Sequence, residues 1–113
     1  MATQTLKRLF QWVVDNAAEQ ALYMAPSNGR TVVVSLYKTN TSGSDITFDL
    51  WAVVSGQTVG DNNAIYKQEP ILANRIHPRR DIGIILDAGH TLYAQASAAS
   101  ALTISGYGIE ILD

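Results

Sequence analysis

Two histidines, ten carboxylates and a scatter of serines are the side chains in this sequence best suited to acid, base or nucleophilic chemistry, and cysteine is absent. A hydrolase needs a serine held on a strained turn beside a base, and none here sits in a G-x-S-x-G elbow or a comparable context. His77 and His90 stand thirteen positions apart with Asp81 and Asp87 between them, a spacing that makes a metal site only if two loops converge. Asp61-Asn62-Asn63 offers oxygen ligands without the regular alternation of a calcium loop. Asp49 and Glu69 form a glycosidase-type carboxylate pair only if their strands bring them face to face. Gly56, Gly60, Gly83, Gly89, Gly106 and Gly108 are too dispersed to cradle a phosphate. Asn40-Thr41-Ser42 fits a glycosylation acceptor pattern, although no secretory context accompanies it. The expectation is a chain with no catalytic residue, no metal, no cofactor and no small-molecule substrate.

Binding chemistry is better represented. Arg75, His77, Arg79 and Arg80 crowd three guanidinium groups and an imidazole into six residues around Pro78. Guanidinium forks suit carboxylates on a partner surface, and the same cluster also fits an ordinary solvated loop. Phe10, Trp12 and Trp51 are packing residues or the wet edge of an interface, since aromatic rings serve in both places. These seven are the candidate partner-interface residues.

The elements that must position them read as β structure. Arg30 to Lys38 and Ile46 to Val54 are rich in β-branched and aromatic residues and flank the turn-like NTSGSD, which predicts a hairpin. Ile46, Phe48, Leu50, Ala52 and Val54 share one face of the second strand, matched by Val32, Val34 and Leu36 in the first. Trp51 then falls on the outer face, in a second small core, under a covering loop or against a neighbouring subunit. SGQTVGDNN is a polar loop, and Ala64 to Asn74 is an extended stretch whose Pro70 marks an edge or a bend. NRIHPRR interrupts it. Asp81 to Leu86 and Thr91 to Ser97 read as a second hairpin about the turn Asp87-Ala88-Gly89-His90. In the last stretch the inward parity passes from Leu102 and Ile104 to Tyr107, Ile109 and Ile111, which calls for a bulge near Gly106 or Gly108. The first 25 residues fit helical or strand spacing, with strand preferred for consistency with the rest. Seven or eight short antiparallel strands predict an all-β, single-domain β-sandwich of jelly-roll type over residues 1–113, with 1–19 as an N-terminal arm or docking segment.

Composition bounds the partners. A chain of 113 residues carries one domain, and its folded surface should be roughly 6,100 Å². Charged residues make up 16% and apolar residues 47%, so few charges cover that surface and part of it is expected to meet other protein. A net charge of −2 without a polybasic stripe gives no basis for nucleic-acid binding, and neither a signal peptide nor a spanning segment is encoded, so no membrane partner is expected.

The succession ALYMAPSNGRTVVVSLYKTNTSGSDITFDLWAV, EPILAN, DIGIILDAGHTLYAQAS and LTISGYGIEI resembles small β-structured virion proteins of tailed bacteriophages. The L-Y-x-x-P piece before a valine-rich strand ending in N-T-S-G, the A-G-x-x-L-Y-A-Q-A-S turn and the closing G-x-E-I carry the likeness, over about residues 20 to 112. Arg79-Arg80 and Met24-Ala25-Pro26 depart from that pattern, the first pointing to a distinctive partner surface. The resemblance implies a non-enzymatic structural protein of the virion, assembled in the host cytoplasm: a trimeric capsid cement or decoration protein bound to major capsid proteins. The alternative it implies is a tail or fibre module binding host-surface carbohydrate.

Overall fold

The computed structural model describes residues 3–14, 16–79 and 82–113. Strands β1 (Thr3–Val13), β2 (Gln20–Met24), β3 (Gly29–Asn40), β4 (Ile46–Val53), β5 (Ala64–Ile71), β6 (Ile76–Arg79), β7 (Ile84–Leu86), β8 (Thr91–Ala96) and β9 (Leu102–Leu112) form two sheets, with a 3-10 turn at Asp61–Asn63. The first sheet runs β1-β9-β3, with β6 and β7 sharing the fourth position beside different ends of β3; the second runs β2-β8-β4-β5. Every pairing is antiparallel. Eight strand positions in two four-strand sheets, with the chain passing repeatedly from one to the other, make an all-β, single-domain jelly-roll-like sandwich. Its accessible surface of 6224 Å² is close to that expected for a self-contained domain of this size.

The stretch from Thr3 to Val13 is strand, and it lies at the edge of the first sheet with β9 as its neighbour. Both hairpins expected from the sequence are corrected. β3 and β4 lie in different sheets, and so do β7 and β8, so each turn carries the chain across the sandwich. At the first crossing Asn40 is fully buried; its Nδ2 donates to the carbonyls of Ser44 at 2.8 Å and Ile71 at 3.1 Å, and its Oδ1 accepts from Ser42 N at 2.9 Å and Oγ at 2.7 Å. The amide is spent on holding that corner, which removes Asn40 as a glycosylation acceptor.

Leu36, Leu50, Leu92, Leu102 and Ile104 are completely buried between the sheets, with Phe10, Phe48 and Ile71 beside them. The inward set on β3 is Thr31, Val33, Leu36, Lys38 and Asn40, not Val32 and Val34. An extra residue at Val34 shifts the β3 register against β9, and one at Leu9 shifts β1 at the same level. The irregularity expected within β9 therefore sits in its two neighbours. β9 keeps one parity, with Ile104, Gly106 and Glu110 inward, and Tyr107, Ile109 and Ile111 on the outer face. Phe10 occupies the space that a side chain at Gly106 would need, so only glycine fits there.

Two polar ties cross the sandwich. Lys38 of β3 lies fully buried, 2.6 Å from the Glu69 carboxylate of β5 and 4.7 and 4.8 Å from the ring centres of Phe48 and Tyr66. At the other end the Tyr23 hydroxyl of β2 donates to Glu110 of β9 and lies 2.9 Å from Thr31 Oγ1, while Lys7 Nζ reaches the other Glu110 oxygen at 2.9 Å. Burial, then the Glu110 carboxylate, pushes the Tyr23 hydroxyl up to about 12. The Tyr23 hydrogen bond, then Lys7, holds the Glu110 carboxyl below its ordinary value.

Candidate interaction surfaces

A strand shows alternate side chains to the two faces of its sheet, so the outer faces follow once the inner sets are known. Register across the first sheet aligns Leu6 of β1 with Ile109 of β9, Ile109 with Val32 of β3, and Val32 with Ile85 of β7. Four apolar side chains thus stand side by side across four strands, facing away from the core. Leu6 is 76% exposed and Ile85 63%, while Val32 and Ile109 between them are half-buried. Further along this face Tyr37 and Tyr107 meet edge to face, 5.6 Å between ring centres. A contiguous apolar row flanked by rings has the composition of a protein contact rather than of a solvated sheet. Sequence alternation alone does not reveal it, because Val32 and Ile109 read there as core residues.

Of the expected interface residues, the four whose side chains are described, Phe10, Trp12, Trp51 and Arg75, do not form one patch. Phe10 is only 6% exposed and packs in the core near Tyr23, ring centres 6.3 Å apart, so it has little surface left for a partner. Trp12 is 46% exposed; its indole N–H donates to the Leu22 carbonyl at 2.8 Å, which ties β1 of one sheet to β2 of the other. Trp51 lies on the outer face of the second sheet, as the alternation requires, but is 5% exposed with Lys67 Nζ 5.6 Å from its ring centre. Its buried Nε1 has no hydrogen-bond partner.

The basic segment is partly strand rather than loop. Ile76–Arg79 is β6, pairing His77 with Lys38 and Arg79 with Leu36, and Pro78 is tolerated because this strand lies at the sheet edge. The His77 and Arg79 side chains and all of Arg80 and Asp81 lie outside the described residues. Arg75 is exposed and lines an open cavity of about 440 Å³ with Pro70, Ile71, Leu72 and Ile76, where β5 ends and β6 begins. An apolar floor with a guanidinium at its rim suits an apolar side chain next to a carboxylate.

The second sheet carries a different outer face. Asp49 and Gln95 are register partners there, and with Asn16, Thr47, Gln68 and Ser97 they line a polar depression of about 270 Å³. Glu69 points the other way, into the sandwich toward Lys38, so the two carboxylates weighed as a catalytic pair are on opposite faces of their sheet.

The same fold occurs in a virus particle. The chain is similar to one in the structure of infectious bursal disease virus, Gx strain, with a TM-score of 0.52 and 10% identity over 98% of this chain, and to its counterpart in the Gt strain, at 0.50 and 9% over 97%. It spans 31% of the length of each of those chains. The coat protein of Tobacco streak virus aligns with a TM-score of 0.45 at 15% identity, over 99% of this chain and 86% of that one. At these identities the likeness is one of fold. No protein-family profile and no curated protein sequence matches the chain.

Proposed function

We propose that this chain is a non-enzymatic structural protein of a virus particle, a cement or decoration protein whose copies meet through the outer face of the first sheet. The observation that carries the reading is the Leu6–Ile109–Val32–Ile85 row, an apolar stripe on the outer face whose two ends, Leu6 and Ile85, stand exposed among the described residues. The jelly-roll-like fold, shared with a chain of infectious bursal disease virus, and the bacteriophage-like sequence pattern support it. Copies arranged about a three-fold axis would bury the row. Trp12 on β1, within the segment 1–19, and the basic segment that begins at Arg75, at the opposite edge of the sheet, would then make separate contacts with the major capsid protein. Repeated weak contacts over a closed shell add through multivalency, so no single interface has to be tight.

Cryo-electron microscopy of particles assembled with this protein tests the proposal. Jelly-roll density repeated over the capsid surface at symmetry axes is the expected result. Density confined to the tail, or a particle lacking the chain, overturns it.

A further inference from the structure

The outer face of the second sheet carries a small polar depression, which the assembly reading does not use. We propose that it is a binding site for a neutral saccharide, with Asp49 and Gln95 as its central pair and Thr47, Gln68, Asn16 and Ser97 around them. The two central groups stand opposite each other on β4 and β8, and each is already held by one bond. Asp49 Oδ1 accepts the Gln68 backbone N–H at 2.6 Å, leaving Oδ2 free. That N–H is available because Gln68 adopts a left-handed conformation, φ 52°, where the β4–β5 register slips. Gln95 Nε2 donates to the Asn16 carbonyl at 3.0 Å, leaving Oε1 free. Ser97 Oγ accepts from Thr47 N at 2.9 Å and keeps its own proton to donate.

The depression therefore presents fixed acceptors next to hydroxyl and amide donors. A sugar hydroxyl both donates and accepts, so a vicinal diol is matched by such a mixture. Among the described residues no cationic side chain lines the site, and Asp49, its one carboxylate there, would repel an anion and is by itself a poor cage for a metal cation. Tyr93 lies two residues before Gln95 on the same face of β8, half-buried and paired with Trp51, which places an aromatic residue next to the depression although not in its lining. The site stands on its own groups and does not depend on how copies assemble.

Saturation-transfer difference NMR with the full chain and the methyl glycosides of glucose, galactose and mannose, each at up to about 50 mM so as to cover millimolar affinities, tests it. At least one glycoside should give transfer, weakened about tenfold or more in Asp49→Ala and in Gln95→Ala, because each removes an acceptor from the site. Gln95→Ala removes a half-buried amide and its bond to the Asn16 carbonyl but no core side chain, so it remains informative if Asp49→Ala fails to fold. Gln57→Ala, at an exposed loop position outside the depression and outside the apolar row, should leave the transfer unchanged. Absence of transfer from all three glycosides, or transfer undiminished in a folded Gln95→Ala variant, overturns the proposal. Neither result bears on the capsid reading, which concerns the other face.

Discussion

The Phe10 ring of β1 fills the space above Gly106 of β9 in which any side chain at 106 would stand. Core volume on one strand is thus matched to its absence on the next. Gly106→Ala should destabilise the fold by about 1–3 kcal/mol, the usual cost of overpacking, and lower the urea midpoint. Phe10→Leu introduced into that background should recover part of the loss. If the two substitutions instead add as independent destabilisations, the contact is not what excludes the larger residue.

Lys38 and Glu69 should behave as a unit. Glu69→Ala leaves the ammonium in the sandwich interior without its carboxylate and should cost about 3–5 kcal/mol, whereas Lys38→Met combined with Glu69→Leu should fall near the parent stability. Denaturant midpoints of the two variants decide this. A mild Glu69→Ala would show that Glu69 is not needed to hold the buried charge.

The Tyr23–Glu110 tie predicts losses at both ends of the pH range. Glu110 is depressed in the folded chain, so its contribution is present above the ordinary carboxylate value and is lost as pH falls through the lower folded one. Tyr23 is raised to about 12, so its contribution is complete below its ordinary value of 10.0 and disappears as pH climbs between the two. Tyr23→Phe should flatten the alkaline limb of a stability–pH curve measured by urea unfolding. An unchanged alkaline limb would mean that Tyr23 titrates normally.

Charges placed in the apolar row should dissociate copies without unfolding them. Leu6→Lys and Ile85→Lys each alter a side chain that is mostly in solvent in the single chain. Light scattering at micromolar protein should give a multiple of the chain mass for the parent and a lower mass for the variants, with unchanged circular dichroism. A parent that is monomeric in that range counts against contact through this face.

The strands were readable wherever apolar residues alternate without interruption. In β4, the alternation of Ile46, Phe48 and Leu50 with Thr47, Asp49 and Trp51 is the alternation of inner and outer faces in the sandwich. β3 and β9 defeated the same reasoning because one extra residue at Val34 and another at Leu9 change the relation between neighbouring strands, and a bulge leaves no composition signal of its own. The outer apolar row was hidden for that reason: Val32 and Ile109 look like core residues until the register is known. The polar depression was hidden for another, since Asn16, Asp49, Gln68 and Gln95 come from four separated stretches that only the second sheet gathers.

By itself the sequence determined an all-β chain with a complete core, a low surface charge and no thiol chemistry, because alternation, turn residues and composition are local or summed properties. Tertiary structure decided which strands are neighbours. NTSGSD and DAGH have the turn residues of hairpins, yet both carry the chain between sheets, since a turn fixes only the reversal of direction. Whether the next strand pairs with the last or faces it across the core depends on burial against strands far away in the chain. That choice put Lys38 opposite Glu69 and Tyr23 opposite Glu110, and it separated an apolar face on one sheet from a polar one on the other.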